Sequence, residues 1–182
     1  ISNFSNVLPD IQSDLANQIL KDPYNFDFLT MTNDYNEKEL EKALTDNITN
    51  FLLELGKGFA YVGKQIQLEV GGKMFFTDLL FYHLELRCFV VIELKNRDFD
   101  PSFLGQLNFY VSAVNNIMKK ETDSPTIGLL ICKTKNNVVA QYALETTKLP
   151  IGISEYELNR LMPENFKSSL PTIEEIENQF KD

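Results

Sequence analysis

Histidine and cysteine are nearly missing from this chain: one histidine and two cysteines among 182 residues. So few soft ligands argue against a structural zinc centre, which takes four at close spacing. Long apolar runs are missing as well. None approaches the roughly 18 residues that a membrane span requires. There is no glycine-rich phosphate loop, no G-x-S-x-G elbow and no cysteine–histidine pair at catalytic spacing. Positive charge is the scarcer sign, with 17 Lys and Arg against 26 Asp and Glu and a net charge of −9. That balance argues against a simple electrostatic DNA binder.

What remains is an ordinary soluble composition, 43% hydrophobic and 24% charged, in a length that suits one domain with a full core. The charge is unevenly spread. Residues 1–56 carry 10 acids and 3 bases, residues 136–182 carry 8 acids and 4 bases, and residues 57–135 carry 8 acids and 10 bases. The middle segment is thus slightly basic. Cys88 and Cys132 fall in apolar runs, which predicts buried reduced thiols and a cytoplasmic setting. The chain begins at Ile1, and it reads as a piece of a longer protein.

The middle segment contains the stretch KMFFTDLLFYHLELRCFVVIELK, residues 73–95. Two near-continuous apolar runs flank a short polar turn, the pattern of strands covered on both faces. Asp78 interrupts the first run, and Glu93 and Lys95 close the second. A charge in such a strand is costly unless it is paired or holds a metal. Residues i and i+2 of a strand point the same way, so Glu93 and Lys95 share a face. A turn over residues 83–87 makes the strands antiparallel neighbours and brings Asp78 beside Glu93. Two carboxylates and a lysine converging there suit a divalent cation and an activated water. The plainer alternatives are a solvated strand tip and a buried structural acid bonded to backbone amides. His83 reads as a turn residue.

Residues 1–33 read as a lead-in from a preceding domain, with a short helix over 11–20 and the aromatics Tyr24, Phe26 and Phe28. A helix over 36–55 follows, with Leu40, Ala43, Leu44, Ile48, Phe51, Leu52 and Leu55 on one stripe. Glu37, Glu39 and Glu41 suit the dipole of its first turns, yet Glu41 borders the stripe and can reach inward. Strands are predicted over 59–70, 74–82 and 88–95, the first two joined at Gly71-Gly72. A helix over 102–119, in which Gln106 and Tyr110 share a face, precedes a strand over 127–132. A short helix over 138–144 and a strand over 151–155 complete the core. The domain runs from 34 to 158, and residues 159–182 form a peripheral acidic tail ending in a helix. This order gives an α/β fold, a mixed central sheet flanked by helices.

A helix, a β-meander and a helix, with a carboxylate in the second strand and E-x-K in the third, resembles the PD-(D/E)xK nuclease superfamily. The blocks YVGKQ, FFTDLLFYH, LRCFVVIELKNRDF, GQLNFY and IGLLICK resemble more closely the C-terminal nuclease domain of YhcG-type proteins. The lead-in LPDIQSDLANQILKDPYNFDFL is similar to the segment joining that family's N-terminal helical domain to the nuclease. The resemblance spans roughly residues 8–158 and implies a restriction-endonuclease-like core and a metal-dependent endonuclease acting on DNA, branched or otherwise structured DNA included. It assigns Asp78 and Glu93 as ligands of Mg²⁺ or Mn²⁺, Lys95 as the residue that positions the attacking water, and Glu41 as a further acid of the metal site. Gln106 matches a helix glutamine of junction-resolving members. Thr77 stands where the motif has proline.

Gln65, Lys64, Arg97, Gln106 and Tyr110 are candidates to support the site or touch nucleic acid, with Lys73, Lys119 and Lys120 as further phosphate contacts. Partners implied are DNA, the N-terminal helical domain of the full-length protein, and a second copy forming a homodimer, since cutting both strands takes two sites. Two other readings stand beside this one. A nucleic-acid-binding or assembly module could keep the nuclease fold and cut nothing. A small-molecule or metal-independent enzyme could use the paired carboxylates for acid–base work.

Overall fold

A computed structural model describes residues 1–163 of the chain. In chain order the elements are α1 (Phe4–Val7), α2 (Asp10–Ile19), β1 (Tyr24–Asn25), β2 (Met31–Thr32), α3 (Glu37–Asp46), α4 (Ile48–Leu55), β3 (Phe59–Val70), β4 (Lys73–His83), β5 (Cys88–Leu94), α5 (Phe103–Ile117), β6 (Ile127–Cys132), α6 (Asn137–Glu145), β7 (Ile151–Glu157) and β8 (Leu161–Met162). The helix expected in the tail lies outside the described residues.

Six strands form one sheet in the order β1-β7-β6-β5-β4-β3. The β3–β4–β5 meander is antiparallel, and β5, β6, β7 and β1 run parallel to one another. Gly71 and Gly72 both take positive φ, +59° and +74°, which lets two residues close the β3–β4 hairpin. The parallel half explains the unalternated apolar runs: all six residues of β6 are buried, as expected of a strand with helices on both faces. One face carries Leu79, Phe81, Val90, Ile92 and Leu129 against α3, α4 and the N-terminal segment. The other carries Leu80, Val91, Leu130 and Ile153 against α5 and α6.

Two sequence expectations change. The helix over 36–55 is two helices, because Asn47 leaves helical geometry (φ −112°, ψ 39°) and turns its side-chain amide onto the Ala43 carbonyl at 2.9 Å. The lead-in is part of the fold as well as an approach to it: Phe4, Tyr24, Phe26 and Leu29 are buried in the main core, and β1 is an edge strand paired with β7. Cys88 and Cys132 are buried free thiols, which burial pushes up to about 12 in pKa.

Gly128 of β6 sets how closely α5 approaches the sheet. A Cβ there would stand 2.5 Å from Ile151 Cδ1 and 2.8 Å from Val111 Cγ2. Gly128→Ala is therefore expected to cost about 1–3 kcal/mol of stability, the usual range for overpacking. Thermal unfolding checks this, and an unchanged Tm would contradict the packing described.

Candidate active site

The meander forks at its inner end. The β4–β5 ladder runs from His83↔Cys88 to Leu79↔Ile92 and stops. Beyond it β4 continues with β3 alone, while β5 pairs with β6 on its other side. The backbone groups freed by the divergence are met by side chains. The Asp78 amide donates to Glu93 Oε1 at 3.3 Å, and the Leu94 amide donates to Asp78 Oδ2 at 3.1 Å. Each carboxylate thus caps the strand that carries the other. Glu93 is 2% exposed. Burial first, and then the charge of Asp78 and a hydrogen bond between the two side chains, hold its carboxyl well above the usual range. Two carboxyls this close share either a proton or a cation.

Helix α3 approaches the same point. Asn36 and Glu39 close a capping box at its start, and one turn separates Glu37 from Glu41, which places them on one face. Glu41 is buried. Burial raises its carboxyl, a hydrogen bond from Gln65 Nε2 at 2.7 Å lowers it, and Asp78 raises it again. Gln65 falls opposite Asp78, between the pairs Lys64↔Leu79 and Ile66↔Thr77, and has a φ of +48°. A non-glycine residue there costs on the order of 1–3 kcal/mol and is held by its surroundings. Lys64 Nζ reaches Thr45 Oγ1 at 3.4 Å. Thr77, which precedes Asp78, is fully buried, and its hydroxyl has no hydrogen-bond partner among the described residues.

Lys95 follows β5. Its amine lies 3.5 Å from Glu37 Oε2 and 5.2 Å from the centre of the Phe103 ring. The Arg97 guanidinium is 4.8 Å from that ring. On α5 the Gln106 amide donates to the Tyr110 hydroxyl at 3.0 Å. The structure therefore joins Asp78 to Glu93 and Glu41 to Gln65, sets Lys95 on Glu37, and leaves Gln106 and Tyr110 as a pair of their own. Glu37 is the residue that sequence reasoning missed. It had been explained by the helix dipole, although its spacing of four from Glu41 was the available signal.

Among the described residues no three His, Cys, Asp or Glu side chains come together as a metal cage. Two carboxylates without a third suit Mg²⁺, which takes one or two protein carboxylates and fills its octahedron with waters and substrate phosphate. Their all-oxygen donors also suit Mn²⁺.

Residues 17–171 match the model of the YhcG PDDEXK nuclease domain family. The chain belongs to that family. It is 36% identical over 144 residues to YhcG of Escherichia coli (strain K12), a protein that carries the word nuclease in its name. The match takes in 79% of this chain and 38% of that relative, so the chain spans well under half of the relative's length. Among solved structures it resembles a repair endonuclease from Pyrococcus abyssi, with a TM-score of 0.44 and 20% identity over 70% of this chain and 49% of that one. It also resembles EndoMS in complex with double-stranded DNA, with a TM-score of 0.46 and 21% identity over 74% of this chain and 46% of that one.

The strained electrostatics of the fork predict a pH-dependent stability for the metal-free domain. Glu93 titrates higher folded than unfolded, so its contribution is full below its unfolded pKa and is lost as pH rises toward the folded value. Glu93→Gln stays neutral throughout. The variant is expected to unfold at a higher temperature than wild type near pH 7.5 in chelator, with the difference closing below about pH 4. Each pKa unit of elevation corresponds to about 1.4 kcal/mol, or roughly 3–6 °C for a chain of this size. Thermal melts across that pH range test it, and a constant difference would contradict the assignment.

Proposed function

We propose that this domain is a metal-dependent nuclease that hydrolyses phosphodiester bonds in DNA. The observation that carries the reading is the contact between buried Glu93 and half-buried Asp78, read together with membership of a nuclease-domain family. Asp78 and Glu93 would hold Mg²⁺ or Mn²⁺. Such an ion, when bound, stabilises charge on the phosphoryl oxygens and lowers the pKa of a water.

The remaining work falls to the chain. Lys95 orients the attacking water and offsets the charge that builds on the phosphate. Glu37 and Phe103 position its amine from two sides, and Glu37 is a positioning residue in this scheme. Glu41, held by Gln65, adds a further acid beside Asp78 and would hold water for the ion. Lys64 and Arg97 contact the nucleic-acid backbone, and Gln106 with Tyr110 lines the approach along α5. In the full-length protein a preceding helical domain would add binding surface, and a second copy would supply the cut on the opposite strand.

Asp78→Asn and Glu93→Gln are expected to reduce Mg²⁺-dependent DNA cleavage to background. Lys95→Ala should lose about 10²–10⁴-fold, the usual worth of a positioned proton-transfer group. Glu41→Gln should lose less. A digestion panel of linear, supercoiled, branched and single-stranded DNA, with and without chelator, tests these together. A wild-type rate in Glu93→Gln would overturn the reading.

A further inference from the structure

Beyond β5 the chain does not leave the sheet at once. The Lys95 amide donates to the Ile131 carbonyl at 2.9 Å, Lys133 to Arg97 at 3.1 Å and Phe99 to Thr134 at 2.8 Å. The parallel ladder with β6 is thus carried on past both strands, and it holds Arg97 and Lys133 side by side on backbone alone. Lys95 and Arg97, two residues apart, lie against the same Phe103 ring. An open groove of about 540 Å³ here has Arg97 and Lys133, the acids Asp98 and Asp100, and the rings of Phe99 and Phe103 in its lining.

The charges in this groove are arranged unusually for so acidic a chain. Asp98 and Asp100 share the groove wall, and Arg97 acts electrostatically on Asp100, yet each carboxylate is held by a neutral donor and not by a cation. Asp98 accepts from the Thr134 hydroxyl, and Asp100 accepts from the Ser102 amide at 2.8 Å. Among the described residues neither Arg97 nor Lys133 has an acidic partner within ion-pair distance, whereas Lys135, two residues on, pairs with Asp22 and Glu155. Two exposed cations held beside Phe103 on the extended ladder, neither of them in an ion pair among the described residues, are placed to take an anion.

We propose that Arg97 and Lys133 form a subsite for a phosphate of a nucleic-acid strand, next to the phosphate that faces Lys95. Residues i and i+2 of an extended chain are separated by about 6.6 Å, a step comparable to that between consecutive phosphates of a strand. The strand would therefore follow the direction of β5 from Lys95 to Arg97, and the contact would be independent of sequence. This deepens the nuclease reading and rests on it only for where the scissile phosphate sits.

Binding in chelator separates the two ideas, because it needs no hydrolysis. Fluorescence anisotropy of a labelled single-stranded oligonucleotide, titrated across NaCl concentrations, should give a salt slope that falls by about 0.7 for the Arg97→Ala, Lys133→Ala double variant, which loses one phosphate contact, and by less for either single variant. Lys133→Arg should keep the wild-type slope. Circular dichroism confirms that each variant is folded. A double variant with the wild-type slope overturns the subsite even if the protein cuts DNA. A reduced slope supports it even if no cleavage is found. A nucleoside monophosphate that competes as well as the oligonucleotide would also overturn it, since the subsite is defined by a strand.

Discussion

The structure depends on a repulsion held in place. At the fork of β4 and β5 the buried carboxyl of Glu93 meets the half-buried carboxyl of Asp78, each fixed by an amide of the opposite strand. In apolar surroundings one buried carboxylate is costly, and two in contact are costlier still. The sheet accepts this because the amides it satisfies would otherwise be orphaned where the ladder ends. The result is a pair that answers to a proton or a cation, built from backbone geometry that is rigid on both sides.

The surrounding elements hold this point from different directions. Tyr35, just before α3, offers its backbone carbonyl to the Asn96 side chain at 2.9 Å, and its hydroxyl meets that of Tyr156 at 2.5 Å. These bonds tie the start of α3 to the end of β5 and to β7, so that Glu37 arrives at Lys95. Glu41, one turn later, arrives near Asp78. From the opposite face α5 brings Phe103 beneath Lys95 and Arg97. The site is thus assembled between both layers of helices, and the N-terminal segment is one of its supports.

Much of this was legible in the sequence. The apolar runs marked β4, β5 and β6 as covered strands, and the parity of a strand put Glu93 and Lys95 on one face. An interruption of such a run by Asp78 has few physical explanations, which made it informative. Other features were not legible. The break at Asn47 depends on a side chain capping its own helix, which apolar periodicity does not register. Glu37 was hidden because an acid in a first helical turn already has a sufficient explanation. The left-handed backbone at Gln65 and the ladder from Lys95 to Phe99 are tertiary effects, set by neighbours distant in the chain.

The central claim is that the carboxyl groups of Asp78 and Glu93 together receive one divalent cation. Crystals of the protein soaked in Mn²⁺ and recorded for anomalous scattering test this most directly. The account predicts one strong peak at the fork, with an oxygen of each residue about 2.0–2.6 Å away, the range for hard divalent cations on oxygen. Manganese bound only elsewhere, or no peak at the fork at saturating metal, would contradict it.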